Sequence, residues 1–199
     1  MNELLFIRHA ETSMAGTFCG HSDPPVNAAG HRQIQRLVES LRSEPIAAVY
    51  TSDLQRAATT ARALAEFFAI PCIIRRDLRE IDFGMWEGLT WNEIEKLDLP
   101  YATRWLDKFP QLPAPDGESV EIFAARVRRE TRYLLRQFEH SLPPSQSSLI
   151  AVVTHAGVMR AVLRTLCKVD EEQAWKGTES YCCTFRYAHA GNYFPEVLR

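Results

Sequence analysis

Leu4-Leu5-Phe6-Ile7 runs straight into Arg8-His9, and Leu149-Ile150-Ala151-Val152-Val153 runs through Thr154 into His155. Short apolar runs of this kind, with β-branched residues among them, mark strands buried on both faces of a parallel sheet. Ala47–Tyr50 is a third such run, and Cys72–Ile74 a weaker fourth. Helical stripes separate them. Ile34, Leu37, Val38 and Leu41 share one helix face, and Leu54, Ala57, Ala58, Ala61, Leu64, Ala65 and Phe68 form a second stripe. Ser52 with Gln55 predicts a capping box at the start of that second helix. Phe123, Val127, Tyr133, Leu134 and Phe138 predict a long helix after Asp116, and Val158, Met159, Val162, Leu163 and Leu166 another after Gly157. Tyr181–Tyr187 and Tyr193–Leu198 read as strands of a closing hairpin. Strands alternating with helices predict an α/β fold, a three-layer sandwich whose mostly parallel central sheet is flanked by helices.

The 199 residues fit a single domain with room for a small inserted cap at about 92–115. Pro100, Pro110, Pro113, Pro115 and Gly117 interrupt that stretch, which also carries Tyr101, Trp105 and Phe109, so it reads as an excursion covering a pocket. Ser141–Ser148 reads as a surface connection. A net charge of -2, with no charge run or basic stripe standing out, argues against a nucleic-acid surface. Met1 leads almost directly into the first apolar run without a basic segment or cleavage site, so no signal peptide is expected. The run at Leu149–Val153 is far short of the roughly 20 residues that span a bilayer. The cysteines, Cys19, Cys72, Cys167, Cys182 and Cys183, are odd in number and form no C-x-x-C pair. A disulfide framework or zinc site is therefore not expected, and a reducing cytoplasm is. Cys182 and Cys183, adjacent on the expected strand, would face opposite ways.

The polar residues that follow the strands point to the chemistry. Arg8 and His9 follow the first, Ser52 and Arg56 the third, and His155 the long run at 149–153. Open parallel sheets bind ligands beyond the carboxyl ends of their strands, so two arginines and two histidines are expected at one edge. Arginine offers a fork of donors matched to phosphate oxygens. Helix N-termini after Ser52 and His155 would add backbone N–H groups. Histidine is a competent nucleophile once one ring nitrogen is unprotonated.

Leu5-Phe6-Ile7-Arg8-His9-Ala10-Glu11-Thr12 resembles the R-H-G-E-T signature of the histidine phosphatase superfamily, which includes the cofactor-dependent phosphoglycerate mutases. Ser52-Asp53-Leu54-Gln55-Arg56-Ala57 with Thr60-Ala61 is similar to the family's S-x-L-x-R-A-x-x-T-A segment. Leu78 to Gly88 resembles its L-x-E-x-x-x-G-x-W-E-G block, and Val153-Thr154-His155-Ala156-Gly157 its second histidine motif. Gly16 to Gly30 resembles the loop after the first motif, so the likeness extends from Leu4 to about Arg164. It implies that His9 becomes phosphohistidine, that Arg8, Arg56 and His155 hold phosphoryl oxygens, and that Thr12 is an additional contact. It implies too that Glu80 gives a proton to the leaving oxygen and then helps activate water. A carboxylic acid beside a phosphate dianion has its pKa raised, which suits that role. Ala10 stands where the family often has Gly, and Ala15 where it often has Asn.

The expected activity is metal-free hydrolysis of a small-molecule phosphomonoester; substrates of fructose bisphosphate, phosphoglycerate or α-ribazole phosphate type fit the resemblance. A mutase returning the phosphoryl group to a sugar acid is the first alternative, disfavoured by the short cap; a phospho-ligand binding module without turnover is the second. No cofactor is expected, since no Gly-rich nucleotide loop occurs, and a metal held by His9, His155 and Glu80 would be repelled by the two arginines. No membrane partner is expected, and the assembly leans towards a homodimer. Asp82 and Glu87 compete with Glu80 as proton donor. Arg56 alone would read as a solvated helix residue, Glu11 as a surface carboxylate or an arginine's partner, and His21 as a loop histidine at the pocket rim or exposed. Trp86 and Trp91 read as packing beneath the site, Trp105 as either packing or substrate platform, and His31, His140 and His189 as surface residues.

Overall fold

The computed structural model describes residues 3–141, 149–188 and 193–196. Four strands pair in parallel: β1 (Glu3–Arg8), β2 (Ile46–Thr51), β3 (Cys72–Ile74) and β4 (Leu149–Thr154). The antiparallel β5 (Thr184–Ala188) and β6 (Tyr193–Glu196) extend the sheet beyond β1, giving the order β3-β2-β4-β1-β5-β6. Between them lie α1 (Ala28–Ser40), α2 (Gln55–Phe68), α3 (Trp91–Lys108), α4 (Val120–Ser141), α5 (Ala156–Thr165) and α6 (Glu171–Lys176).

Side chains alternate across a strand, and the central strands are apolar in both registers. Leu4 and Phe6 of β1 and Ile150 and Val152 of β4 pack against α4 and α5. Leu5 and Ile7 of β1 and Ala151 and Val153 of β4 pack against α1 and α2. Two cores on opposite sheet faces make the three-layer sandwich. The register pairs Arg8 with Thr154, so the polar ends of β1 and β4 emerge side by side.

The stretch expected as a proline-broken excursion is instead mostly helical. Thr90 and Glu93 cap α3 reciprocally. The helix breaks at Asp98 (φ -156°, ψ 82°), whose Oδ1 accepts from Tyr101 N at 2.9 Å and restarts it. Pro100 falls in that restarted first turn, where a missing N–H removes no helix bond. Trp86, Ile94, Ala102 and Ala114 form a third core, to which α3 contributes Ile94 and Ala102. The strand expected from Tyr181 starts only at Thr184, because Cys182 takes a left-handed conformation (φ 57°) and keeps the preceding residues in a loop. Cys182 and Cys183 therefore precede β5 instead of alternating along it.

The α4 helix presents exposed Arg128, Arg129, Arg132 and Arg136, a basic stripe that the overall charge conceals. Among the described residues no helix is long and apolar enough to cross a membrane, and the cysteines are free. The connection expected at Ser141–Ser148 begins on the last residue of α4 and otherwise lies outside the described residues, as does Leu198.

Candidate active site

A cleft of about 270 Å³ opens at the carboxyl edge of the sheet, with Arg8, His9, Thr12 and Glu80 on its wall. His9 N donates to Thr154 O at 2.9 Å, which binds the turn after β1 to the end of β4. The rings of His9 and His155 lie 5.0 Å apart. His9 is 7% exposed, and His155 and Arg56 are 0% exposed.

The His9 ring is held from two sides. Nδ1 lies 2.7 Å from Ala10 O. On the other side, Arg56 Nε donates to Nε2 at 3.2 Å. Burial, then the Arg56 guanidinium, holds His9 well below the usual histidine range. His155 is depressed for the same leading reasons. Its Nε2 meets Ser52 Oγ at 2.8 Å, while its buried Nδ1 has no partner among the described residues.

That contact displaces the expected capping box, since the Ser52 hydroxyl is engaged with His155 and does not cap α2. Asp23 caps α2 from a distant loop, accepting from Gln55 N at 2.7 Å. The N-terminus of α5 is engaged as well, because Gly157 N donates to Glu80 Oε2 at 2.9 Å. The two helix ends expected to face phosphate thus hold carboxylates of this chain. Gly157 is required by that approach: a Cβ there would stand 2.1 Å from Glu80 Oε1.

Arg56 is no solvated helix residue. Its Nη1 donates to Ser22 O at 2.6 Å and its Nη2 to Gly20 O at 2.7 Å. Glu87 positions that loop: its carboxylate accepts from the backbone N–H of Gly20, His21, Ser22 and Phe83. Burial would raise the Glu87 pKa, but these bonds outweigh it and hold the carboxyl below its ordinary range. Asp82 is likewise committed, to Gly84 N and to His21 Nδ1 at 3.2 Å. Of the three acids considered, only Glu80 lines the cleft. Arg126 grips the carbonyls of Asp77, Arg79 and Glu80, and Thr154 Oγ1 donates to Leu78 O, so the Glu80 segment is fixed from both sides.

Arg8 is pinned by the loop before β5. Its Nη1 donates to the carbonyls of Thr178 and Glu179, and its guanidinium lies 4.1 Å from the Tyr181 ring centroid. The buried Nε has no partner among the described residues. Thr12 is 3% exposed, and its Oγ1 accepts from Met14 N at 3.3 Å. Ala10 is buried in the core beneath α1 and α2, so its methyl does not crowd the cleft. Ala15 is exposed, and its neighbours Met14 and Gly16 line the cleft instead.

Glu11 pairs with the amides of Asn27 and Gln33 rather than with an arginine. Trp86 is buried packing, whereas Trp91 also forms part of the cleft wall. Trp105 packs between Trp86 and Phe109. His31 is exposed; His189 and the side chain of His140 lie outside the described residues. Sequence reasoning missed Tyr181, whose ring lies 5.8 Å from that of His9, and Arg160 on α5. The signal for Arg160 was its spacing, three residues after Gly157 on one helix face. Nothing in the sequence marked Tyr181.

Residues 4–197 match the family model described as histidine phosphatase superfamily (branch 1). The chain belongs to the histidine phosphatase superfamily. It is 30% identical over 174 residues to the adenosylcobalamin/alpha-ribazole phosphatase of Escherichia coli (strain K12), covering 86% of this chain and 82% of the relative. It is 35% identical over 164 residues to the bifunctional protein Rv2228c of Mycobacterium tuberculosis (strain ATCC 25618 / H37Rv), covering 81% of this chain but 43% of the relative. The chain thus spans less than half the length of that longer relative. Its fold superimposes on the alpha-ribazole phosphatase of Shigella flexneri with a TM-score of 0.84 at 26% identity, covering 98% of this chain and 95% of the other. That family membership and the α/β sandwich agree with what the four sequence motifs implied.

Proposed function

We propose that the chain is a phosphomonoesterase that hydrolyses a small phosphorylated metabolite through phosphohistidine on His9, without a metal. The His9 ring carries this reading, with Nδ1 2.7 Å from the Ala10 carbonyl and Nε2 facing Arg56 Nε at 3.2 Å. A carbonyl accepts and cannot donate, so Nδ1 carries the ring proton and Nε2 keeps its lone pair. Burial and the adjacent guanidinium keep Nε2 unprotonated at neutral pH, its lone pair accepting from Arg56 until an entering phosphoryl group takes that donor.

In the first step the Nε2 lone pair attacks phosphorus while the bond to the ester oxygen breaks. That oxygen leaves with the electron pair and takes the proton of Glu80, so the alcohol departs and the phosphoryl group stays on His9. Glu80, now a carboxylate, then removes a proton from water as the water oxygen attacks phosphorus. The P–N bond breaks, its electrons return to Nε2, and inorganic phosphate leaves with Glu80 again protonated. Charge spreads over the three equatorial oxygens during each transfer, so fixed donors are the main need. Arg8, Arg56 and His155 Nδ1 are assigned to those oxygens, with the Thr12 hydroxyl as a further donor. Phosphatases among the relatives support water as the acceptor.

The test is an acid-quench experiment in the presence of EDTA, with mass spectrometry of the chain during turnover of a phosphomonoester panel. An acid-labile phosphoryl adduct on His9 is expected, absent from His9→Ala together with the activity. Full activity in His9→Ala, or loss of activity in EDTA, would overturn the reading.

A further inference from the structure

Arg8 is gripped by a single loop, residues 178–183. Its backbone N–H donates to Cys183 O at 3.0 Å, and its Nη1 donates to the carbonyls of Thr178 and Glu179. Between those residues in sequence stands Tyr181, whose ring covers one face of the guanidinium, with Cζ 4.1 Å from the ring centroid. Both hydrogens of Nη1 are thereby used. The buried Nε and the neighbouring Nη2 have no hydrogen-bond partner among the described residues. They form one edge of the planar fork, a pair of donors that fits two oxygens of one phosphoryl group.

The loop holds this cation without neutralising it. Glu179 meets Arg8 through its carbonyl, and among the described residues Arg8 makes no ion pair. A carboxylate in the place of Tyr181 would attract the guanidinium but would also cancel its charge and repel a phosphoryl dianion. An aromatic face attracts a cation through its quadrupole and carries no net charge. Burial raises the Tyr181 pKa, so the phenol keeps its proton at neutral pH. The ring is also fixed from behind. Cys182 turns at φ 57°, a conformation costly for a residue with a Cβ, and is buried in the core shared with α1 and α2. That turn sets Tyr181 off the line of β5 and onto the cleft wall, 5.8 Å from the His9 ring.

We infer that Tyr181 is a positioning residue that acts through Arg8: its ring holds the guanidinium plane with the Nε–Nη2 edge toward the phosphoryl oxygens and leaves the whole positive charge to them. The inference rests on the phosphomonoesterase reading for Arg8 as a phosphoryl ligand. It gives the task to the ring and none to the hydroxyl, which makes no hydrogen bond among the described residues.

The test is the dissociation constant of inorganic phosphate, measured by calorimetry, so no turnover is needed and a failed phosphatase assay does not affect the outcome. Tyr181→Leu should weaken phosphate by about threefold to thirtyfold. Tyr181→Phe, which keeps the ring, should stay within about twofold of the parent. In an Arg8→Ala background Tyr181→Leu should change binding by less than about twofold, because the group through which the ring acts is gone. Tyr181→Met repeats the removal of the ring with an unbranched side chain, and thermal melting of each variant confirms that the fold is retained. Unchanged or tighter phosphate binding in Tyr181→Leu would overturn the inference, the second being the mark of a ring that blocks Arg8. Equal weakening with and without Arg8 would overturn it as a general loosening of the cleft, and a loss in Tyr181→Phe as large as in Tyr181→Leu would move the task to the hydroxyl. Phosphate binding unmoved by Arg8→Ala would instead overturn the phosphoryl site itself, and the role of Tyr181 with it.

Discussion

Two imidazoles held neutral inside the site should make the fold sensitive to mild acid. His9 is 7% exposed and His155 0%. Burial is the leading cause of the depressed pKa in each, with the Arg56 guanidinium next. In the unfolded chain neither cause survives, and both histidines take up protons near pH 6.5. Below that pH the unfolded state binds more protons than the folded state, so stability falls as pH falls. The loss continues until pH passes the depressed folded values. Each ring contributes a slope of up to about 1.4 kcal/mol per pH unit, so the pair should remove about 2–3 kcal/mol between pH 6 and pH 5. Asp53, held low by hydrogen bonds from Arg79, gives up its own contribution in a more acidic range, so this window isolates the imidazoles. Urea unfolding at pH 7, 6, 5.5 and 5 would measure the slope in the parent chain, His9→Gln and His155→Gln. Each variant should show about half the parent's change between pH 6 and 5. Identical slopes in all three proteins would refute the claim that the site holds both rings neutral.

Glu80→Gln should lower kcat by about a hundredfold to ten-thousandfold on an alkyl phosphate. On p-nitrophenyl phosphate, whose leaving oxygen needs no proton, it should give a burst of nitrophenolate followed by slow turnover; a linear time course would separate Glu80 from the water step. Ser52→Ala removes the contact to His155 Nε2 and should raise the inhibition constant for inorganic phosphate about tenfold or more, read by competitive inhibition. An unchanged constant would show that His155 needs no such support. Glu87→Gln replaces an acceptor of four backbone N–H groups by one that can serve about two, and should cost about 2–4 kcal/mol in urea unfolding. Because the Glu87 carboxyl is held below its ordinary range, this contribution should be present at neutral pH and fade as pH falls through the folded value. A Glu87→Gln chain as stable as the parent would mean that the loop at 20–22 is anchored by other contacts.

The ionic inventory of the site was readable because strand ends are local facts. A run buried on both faces must end where the first polar residue appears, and parallel pairing then aligns those ends, as Arg8 opposite Thr154 shows. What escaped reading was everything decided by which distant segments meet. Ser52 and Gln55 satisfy a local capping rule, yet His155 claims the serine hydroxyl and Asp23 supplies the cap across the molecule. Pro100 satisfies a local rule for a helix stop, yet Asp98 restarts the helix ahead of it and makes its position harmless. Glu87 and Glu80 are equivalent as letters; four loop amides claim the first, while the α5 amide of Gly157 leaves the second facing the cleft. Arg160 shows the principle most sharply. Its place off the apolar stripe of α5 means solvent in most helices. Only the arrival of Trp175 and Thr178 against it turns an outward arginine into part of a wall. Periodicity tells which side of a helix avoids the core, and tertiary contacts decide whether that side meets water or substrate.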